Sequence, residues 1–174
     1  MIERERKYRL TDPELTRVTA WLDASGTLAR REVQDTVHFA DVTGRRDSLN
    51  LRLRAVDARQ ELTVKGPRLE SGRSKVREEH TVAFSGDMTP VLVALGLHPT
   101  ERYRKRTTIY ALDGALVSLD EVDGVGRFCE IEATDDATIE RVAMQLGLTN
   151  ETLEPRGYAR LVRSQSEEGG GEVE

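Results

Sequence analysis

Most of this chain alternates polar and apolar residues with a period of two, the pattern of β-strands that bury one face. Eight segments carry it: Ile2–Arg9, Val33–Asp41, Ser48–Ala55, Glu61–Lys65, Lys75–Ala83, Tyr103–Ala111, Ala115–Glu121 and Arg127–Ala133. Turn residues punctuate several of them, at Thr43-Gly44, Asp57-Ala58, Asp113-Gly114 and Asp123 to Gly126, and a longer loop is predicted over 66–74. Helical spacing interrupts the alternation. Thr11 or Asp12 caps a helix opened by Pro13, with Leu15, Val18 and Leu22 on one face and Gly26 as its stop. Thr89-Pro90 opens a short helix ending near Gly96. Asp135 or Asp136 caps another that turns Ile139, Val142, Ala143 and Leu146 inward and stops at Gly147. A weaker amphipathic stretch runs from about Pro155 to Val162, and Gln165–Glu174 is predicted to be a disordered acidic tail after a folded unit of residues 1–164. Eight mostly antiparallel strands with peripheral helices predict an α+β protein, and closure into a β-barrel would remove the sheet edges.

Composition narrows the class. The 174 residues suit one domain, and 33% of them are charged against 37% hydrophobic. The net charge of −5 owes four negatives to Glu167, Glu168, Glu172 and Glu174. Nothing here has the basic excess of a nucleic-acid binder. A single cysteine, Cys129, excludes an intrachain disulfide, and with three scattered histidines it excludes a zinc cluster. The uncharged run from Met88 to Thr100 is too short to span a bilayer, so a cytoplasmic protein without membrane contact is expected.

So much charge within strands raises the question of which way it points. Residues two apart share a face. Glu3, Glu5 and Lys7 therefore lie together, as do Arg52 with Arg54, Arg77 with Glu79, Arg104 with Arg106, and Glu130 with Glu132. Lys65 ends its strand, and Asp120 shares a face with Ser118. Two readings fit. Either the stripes face water, as is normal in antiparallel sheets, or they converge inside a barrel. The first strand departs from the simple picture, because its other face carries Ile2, Arg4, Arg6 and Tyr8, a poor core face. Inside a lumen, Glu3 and Glu5 would have Cα atoms about 6.6 Å apart and repel by about 2.5 kcal/mol at an effective dielectric near 20. Such an interior needs a divalent cation on the carboxylates and a polyanion on the bases, and oxygen ligands suit Mg²⁺ or Mn²⁺.

The ordered set of Glu-x-Glu-x-Lys at Glu3, Glu5 and Lys7, Leu-Arg-x-Arg, Lys65-Gly66, a basic-x-Arg strand, and Asp120 followed by Glu130-x-Glu132 resembles the CYTH family. That family includes class IV adenylyl cyclases, thiamine triphosphatases and inorganic tripolyphosphatases. The likeness runs from Ile2 to about Val162 and implies an eight-stranded antiparallel tunnel holding a triphosphate. It implies that Glu3, Glu5, Asp120, Glu130 and Glu132 bind one or two Mg²⁺ or Mn²⁺ ions. Lys7, Arg52, Arg54, Lys65, Arg104 and Arg106 would contact phosphate oxygens, with Arg77 a further candidate. Arg104 stands where the family commonly has lysine, and Arg156-Gly157-Tyr158 replaces a common Lys-Ser-Tyr. Arg156 can still bind phosphate, but arginine is a poor base. Lys7 is the better candidate base, provided its neighbours depress its pKa.

The remaining motifs carry less. Lys65-Gly66-Pro67 lacks the lead and the hydroxyl of a P-loop, and Gly124-Val125-Gly126 reads as a hairpin turn. His38 is a proton-transfer candidate or an ordinary sheet histidine. His80 reads as structural or exposed, and His98 as a loop residue. Cys129 reads as core and Trp21 as packed at a helix edge. A one-residue slip of register would place Lys105 inside instead of Arg104 and Arg106. The expected function is metal-dependent hydrolysis of a small triphosphate. The alternatives are a class IV adenylyl cyclase and a non-catalytic polyphosphate- or nucleotide-binding module, as monomer or homodimer.

Overall fold

The computed structural model describes residues 2–41, 50–57, 59–69 and 72–169. The expected Thr43-Gly44 turn and residues 170–174 of the expected tail lie outside them. The elements are β1 (Ile2–Leu10), α1 (Asp12–Ser25), β2 (Thr27–Asp41), β3 (Asn50–Val56), β4 (Arg59–Arg68), β5 (Lys75–Phe84), α2 (Thr89–Ala94), β6 (Leu97–Leu112), β7 (Ala115–Val122), β8 (Gly126–Glu132), α3 (Asp136–Gln145), one 3₁₀ turn (Asn150–Thr152) and α4 (Tyr158–Gly169). The strands close into an antiparallel barrel in the order β1-β5-β4-β3-β2-β6-β7-β8. Every strand thus has two neighbours, and no edge is left unpaired.

Local chemistry sets the joints. The Glu14 carboxylate accepts from the Thr11 backbone N–H at 2.8 Å, which starts α1. Asp135 caps α3 by accepting from the Thr138 N–H at 2.8 Å. Asp113 and Gly114 both take positive φ, 47° and 84°, which lets two residues connect β6 to β7 with the twist that strands need.

β4 runs through Gly66 and Pro67 to Arg68, into the expected loop, and three further boundaries correct the sequence reading. β2 starts at Thr27, six residues before Val33. β6 starts at Leu97, so His98 is a strand residue opposite Ala40 and not a loop residue. The two long strands pair with each other along their length, and the shared ladder extends both past the point where alternation fades. Register shifts at Leu28/Arg30 and Val37/Phe39 let β2 bend around the barrel. The third correction concerns α4, which runs to Gly169 and takes in Gln165–Gly169, assigned from sequence to a disordered tail. Its apolar face, Tyr158, Leu161 and Val162, packs on Tyr103, Val122, Val125 and Phe128, so tertiary packing sustains a helix of polar composition.

The barrel is apolar on the outside where helices cover it and charged within. α1 and α3 bury Val18, Leu22, Ile139, Val142 and Leu146 against the outward faces of β1, β7 and β8. Cys129 is buried in this layer and Trp21 packs at its margin. Leu92 of α2 and Leu97 pack with Phe39 over β2–β4. The odd outer face of β1 is also explained: Arg4 Nη1 and Arg6 Nη2 reach Asp136 at the start of α3, at 2.6 and 3.1 Å. Among the described residues no helix is long and apolar enough to cross a membrane.

Candidate active site

Closure of the barrel puts one parity of every strand into a common lumen of about 1040 Å³. β1 supplies Glu3, Glu5 and Lys7; β3 supplies Arg52 and Arg54; β4 supplies Lys65; β5 adds Lys75, Arg77 and Glu79; β8 adds Glu130 and Glu132. Asp120 of β7 is fully buried beside them. All of the stripes except that of Arg104 and Arg106 therefore face inward, as the convergent reading requires. A single strand could not settle this, because parity is defined only relative to its neighbours.

Ion pairs neutralise part of the lumen's charge. Lys65 Nζ lies 2.6 Å from Glu3 and 2.8 Å from Glu79. Lys75 Nζ holds Glu5 at 3.0 Å, and Lys105 Nζ holds Asp120 at 2.9 Å. Arg52 lies 3.7 Å from Glu79. Arg54 and Arg77 differ: among the described residues neither makes an ion pair, and the Nε of each is buried without a hydrogen-bond partner. Burial, then Arg52, lowers the pKa of Arg54.

The carboxylates crowd one another. Burial and Glu5 raise Glu3 to about 7. Burial and Glu5 likewise raise Glu130, with which Glu5 shares a hydrogen bond, while Lys75 helps keep Glu5 itself ionised against burial. Burial and their mutual repulsion thus favour a proton shared within the Glu5–Glu130 pair. Among the described residues no three Asp, Glu, His or Cys groups form a ready-made cage. The donors nonetheless fit a hard divalent cation: they are all oxygens, two carboxyls already touch, and Asp120 Oδ1 is buried without a partner.

Lys7 stands where the two charge sets meet. It is 2% exposed, and burial followed by the neighbouring Lys75 lowers it to about 8. Its ammonium sits 3.9 Å above the ring centre of Tyr158, whose hydroxyl donates to Asp120 Oδ2 at 2.6 Å. Lys105 approaches the same ring at 5.2 Å. Across the lumen, β2 and β6 present a less charged wall of Gln34, His38, Tyr103 and Thr107. His38 stacks on Tyr103 at 5.8 Å and is held neutral, at about 4, by burial and then Arg52. Its Nε2, with Gln34 Oε1 and Thr107 Oγ1, is buried without a partner.

Three assigned phosphate ligands lie elsewhere. Arg104 and Arg106 point outward and pair with Asp35 at 3.0 Å and Asp123 at 2.8 Å. The slipped register holds instead, with Lys105 inside opposite Gln34. Tyr110 and Leu112 share parity with the two arginines and belong to the outer core, the signal that counting back along β6 would have used. Arg156 turns away from the lumen and grips Glu154 at 2.7 Å. Residues missed from sequence include Lys75, on the parity of Arg77, and Tyr158, whose helix reaches the lumen only through tertiary packing. His80 is exposed and bound to Glu78.

A family model described as the CYTH domain matches residues 1–158. A putative adenylate cyclase of Methanocaldococcus jannaschii is 31% identical over 137 residues, covering 76% of this chain and 77% of that one. The adenylate cyclase CyaB of Aeromonas hydrophila is 29% identical, covering 91% and 87%. Among solved structures, a conserved hypothetical protein from Pyrococcus furiosus superposes with a TM-score of 0.76 at 29% identity, over 92% of this chain and 99% of that one. A putative adenylyl cyclase from Hippeastrum, described as having a dominant triphosphatase activity, superposes with a TM-score of 0.72 at 17% identity, over 94% and 96%.

Proposed function

The chain belongs to the CYTH domain family, and from that premise we propose that it hydrolyses a small triphosphate with the help of a divalent cation. The supporting observation is the unmatched charge along one wall. Arg54 and Arg77 line the lumen with their Nε atoms buried and no ion-pair partner among the described residues. Keeping a guanidinium unpaired away from water costs free energy, and a polyanion would repay it. Arg52, Lys65, Lys75 and Lys105 extend this track once their carboxylates are otherwise engaged.

Glu3, Glu5, Asp120, Glu130 and Glu132 would hold Mg²⁺ or Mn²⁺, which would supply charge neutralisation at phosphate oxygens and orientation of water. Arg54 and Arg77 offer forked donors that fix the phosphate chain. Lys7, at about 8, is neutral often enough near neutral pH to accept a proton from water. Tyr158 donates to Asp120, so the two hold a fixed geometry beside Lys7.

The test is phosphate release from tripolyphosphate and from ATP with Mg²⁺, Mn²⁺ or Ca²⁺, read by product identity. Release that falls at least about a hundredfold in Glu130→Gln supports the reading; tight polyanion binding without turnover under every metal overturns it. The wall of Gln34, His38 and Tyr103 favours one further reading, the cyclase, because unpartnered neutral groups suit a nucleoside better than phosphate. Cyclic AMP as the principal product from ATP would select it.

A further inference from the structure

We infer that Glu154, outside the lumen, is a positioning residue for the Tyr158–Asp120–Lys7 group; the inference rests on the triphosphatase reading. Glu154 is the only acidic residue of the segment between the 3₁₀ turn and α4, and at 6% exposure it is buried. Its backbone N–H donates to the carbonyl of Lys7 at 2.8 Å, and the adjacent Leu153 bridges to Tyr8. This segment is thereby stitched to the strand that carries Lys7.

The side chain tightens the same joint from the other direction. Its carboxylate accepts from Arg156 three times, from the backbone N–H at 3.0 Å, Nε at 2.8 Å and Nη2 at 2.7 Å. Arg9 Nη2 lies 3.5 Å from the second oxygen. Arg9 also lies over the ring of Phe128 at 4.8 Å and donates to the Val125 carbonyl at 3.1 Å. Phe128 in turn meets Tyr158 edge-on at 5.3 Å. Three residues separate Glu154 from Tyr158, and α4 begins where the Leu161 N–H bonds to the Gly157 carbonyl. The clamp therefore sets where α4 enters and how deeply Tyr158 is pressed between Asp120 and Lys7. Arg156 serves this clamp and contacts no phosphate.

The assay is steady-state turnover of tripolyphosphate by Glu154→Gln, Arg156→Ala, Tyr158→Phe and the double variants with Tyr158→Phe. Glu154→Gln is nearly isosteric and Arg156 is exposed at the surface, so both variants keep the fold. Each single change lowers kcat by about tenfold with KM within about twofold, and adding it to Tyr158→Phe lowers kcat no further, because both act on one geometry. Amide exchange speeds up over 157–164 in Glu154→Gln while α1 and α3 are unchanged. A multiplicative double variant, or a raised KM in Arg156→Ala, overturns the clamp and leaves the triphosphatase reading intact. A wild-type protein without turnover on any triphosphate overturns that reading, and the clamp's role with it.

Discussion

Arg104, Lys105 and Arg106 show how much one residue of register decides. The two arginines sit in water-exposed pairs, which contribute about 0–1 kcal/mol each. Lys105 is the partner of an Asp120 that has no exposed surface. Arg104→Ala and Arg106→Ala should therefore leave kcat/KM within about twofold, while Lys105→Met leaves a buried charge unpaired and costs about 3 kcal/mol of stability as well as activity. Denaturant melts and turnover of the three variants check this. Arg54 predicts the opposite sign. Arg54→Met removes a cation that has no ion-pair partner among the described residues, so the free protein should melt at the same temperature or higher, while tripolyphosphate affinity falls by at least about tenfold. Calorimetric titration beside a thermal melt separates the two effects.

At the level of elements, the C-terminal segment is held less by helix propensity than by its anchors. The carboxyl of Glu154 is drawn down to about 2: burial opposes its ionisation, but the hydrogen bonds from Arg156 and the charge of Arg9 outweigh burial. A carboxylate depressed in the folded state stabilises fully above its unfolded value near 4.5, and the contribution fades as pH falls toward 2. Glu154→Gln should thus be less stable than wild type at pH 7, with the gap closing between about pH 4.5 and 2; urea melts across that range show it. The same dependence on partners explains why α4 was underestimated from sequence. Tyr158, Leu161 and Val162 are a thin apolar face, and only the packed Phe128 and Val122 make it sufficient. β2 and β6 were likewise cut short, since their outer ends are held by each other and not by alternation.

For the whole molecule, the lumen's ion pairs would link the two proposed ligands, the triphosphate and the cation. Phosphate would compete with Glu3 and Glu5 for Lys65 and Lys75, and a cation would compete with those lysines for the carboxylates. Binding of either ligand alone breaks these pairs without replacing both partners. Mg²⁺ together with non-hydrolysable imidotriphosphate should therefore raise the melting temperature by more than the sum of the two separate shifts. Equal or additive shifts would show that the pairs do not couple the sites.

The sequence by itself determined the strands, the helix caps and the inventory of charge. Period-two alternation, Pro13 and Asp135 are local signals that act within a few residues. Because eight alternating segments leave no edge once closed, the barrel too was legible, as was the sharing of one strand face by Glu3 with Glu5 and by Glu130 with Glu132; that the two pairs meet was implied only by the family resemblance. Only the tertiary structure decided which parity of β6 faces inward, that Arg156 serves Glu154, and that Tyr158 reaches Asp120. The reason is physical: a strand's periodicity fixes which residues share a face, but the face that meets the lumen is set by pairing with strands and helices far away in the chain.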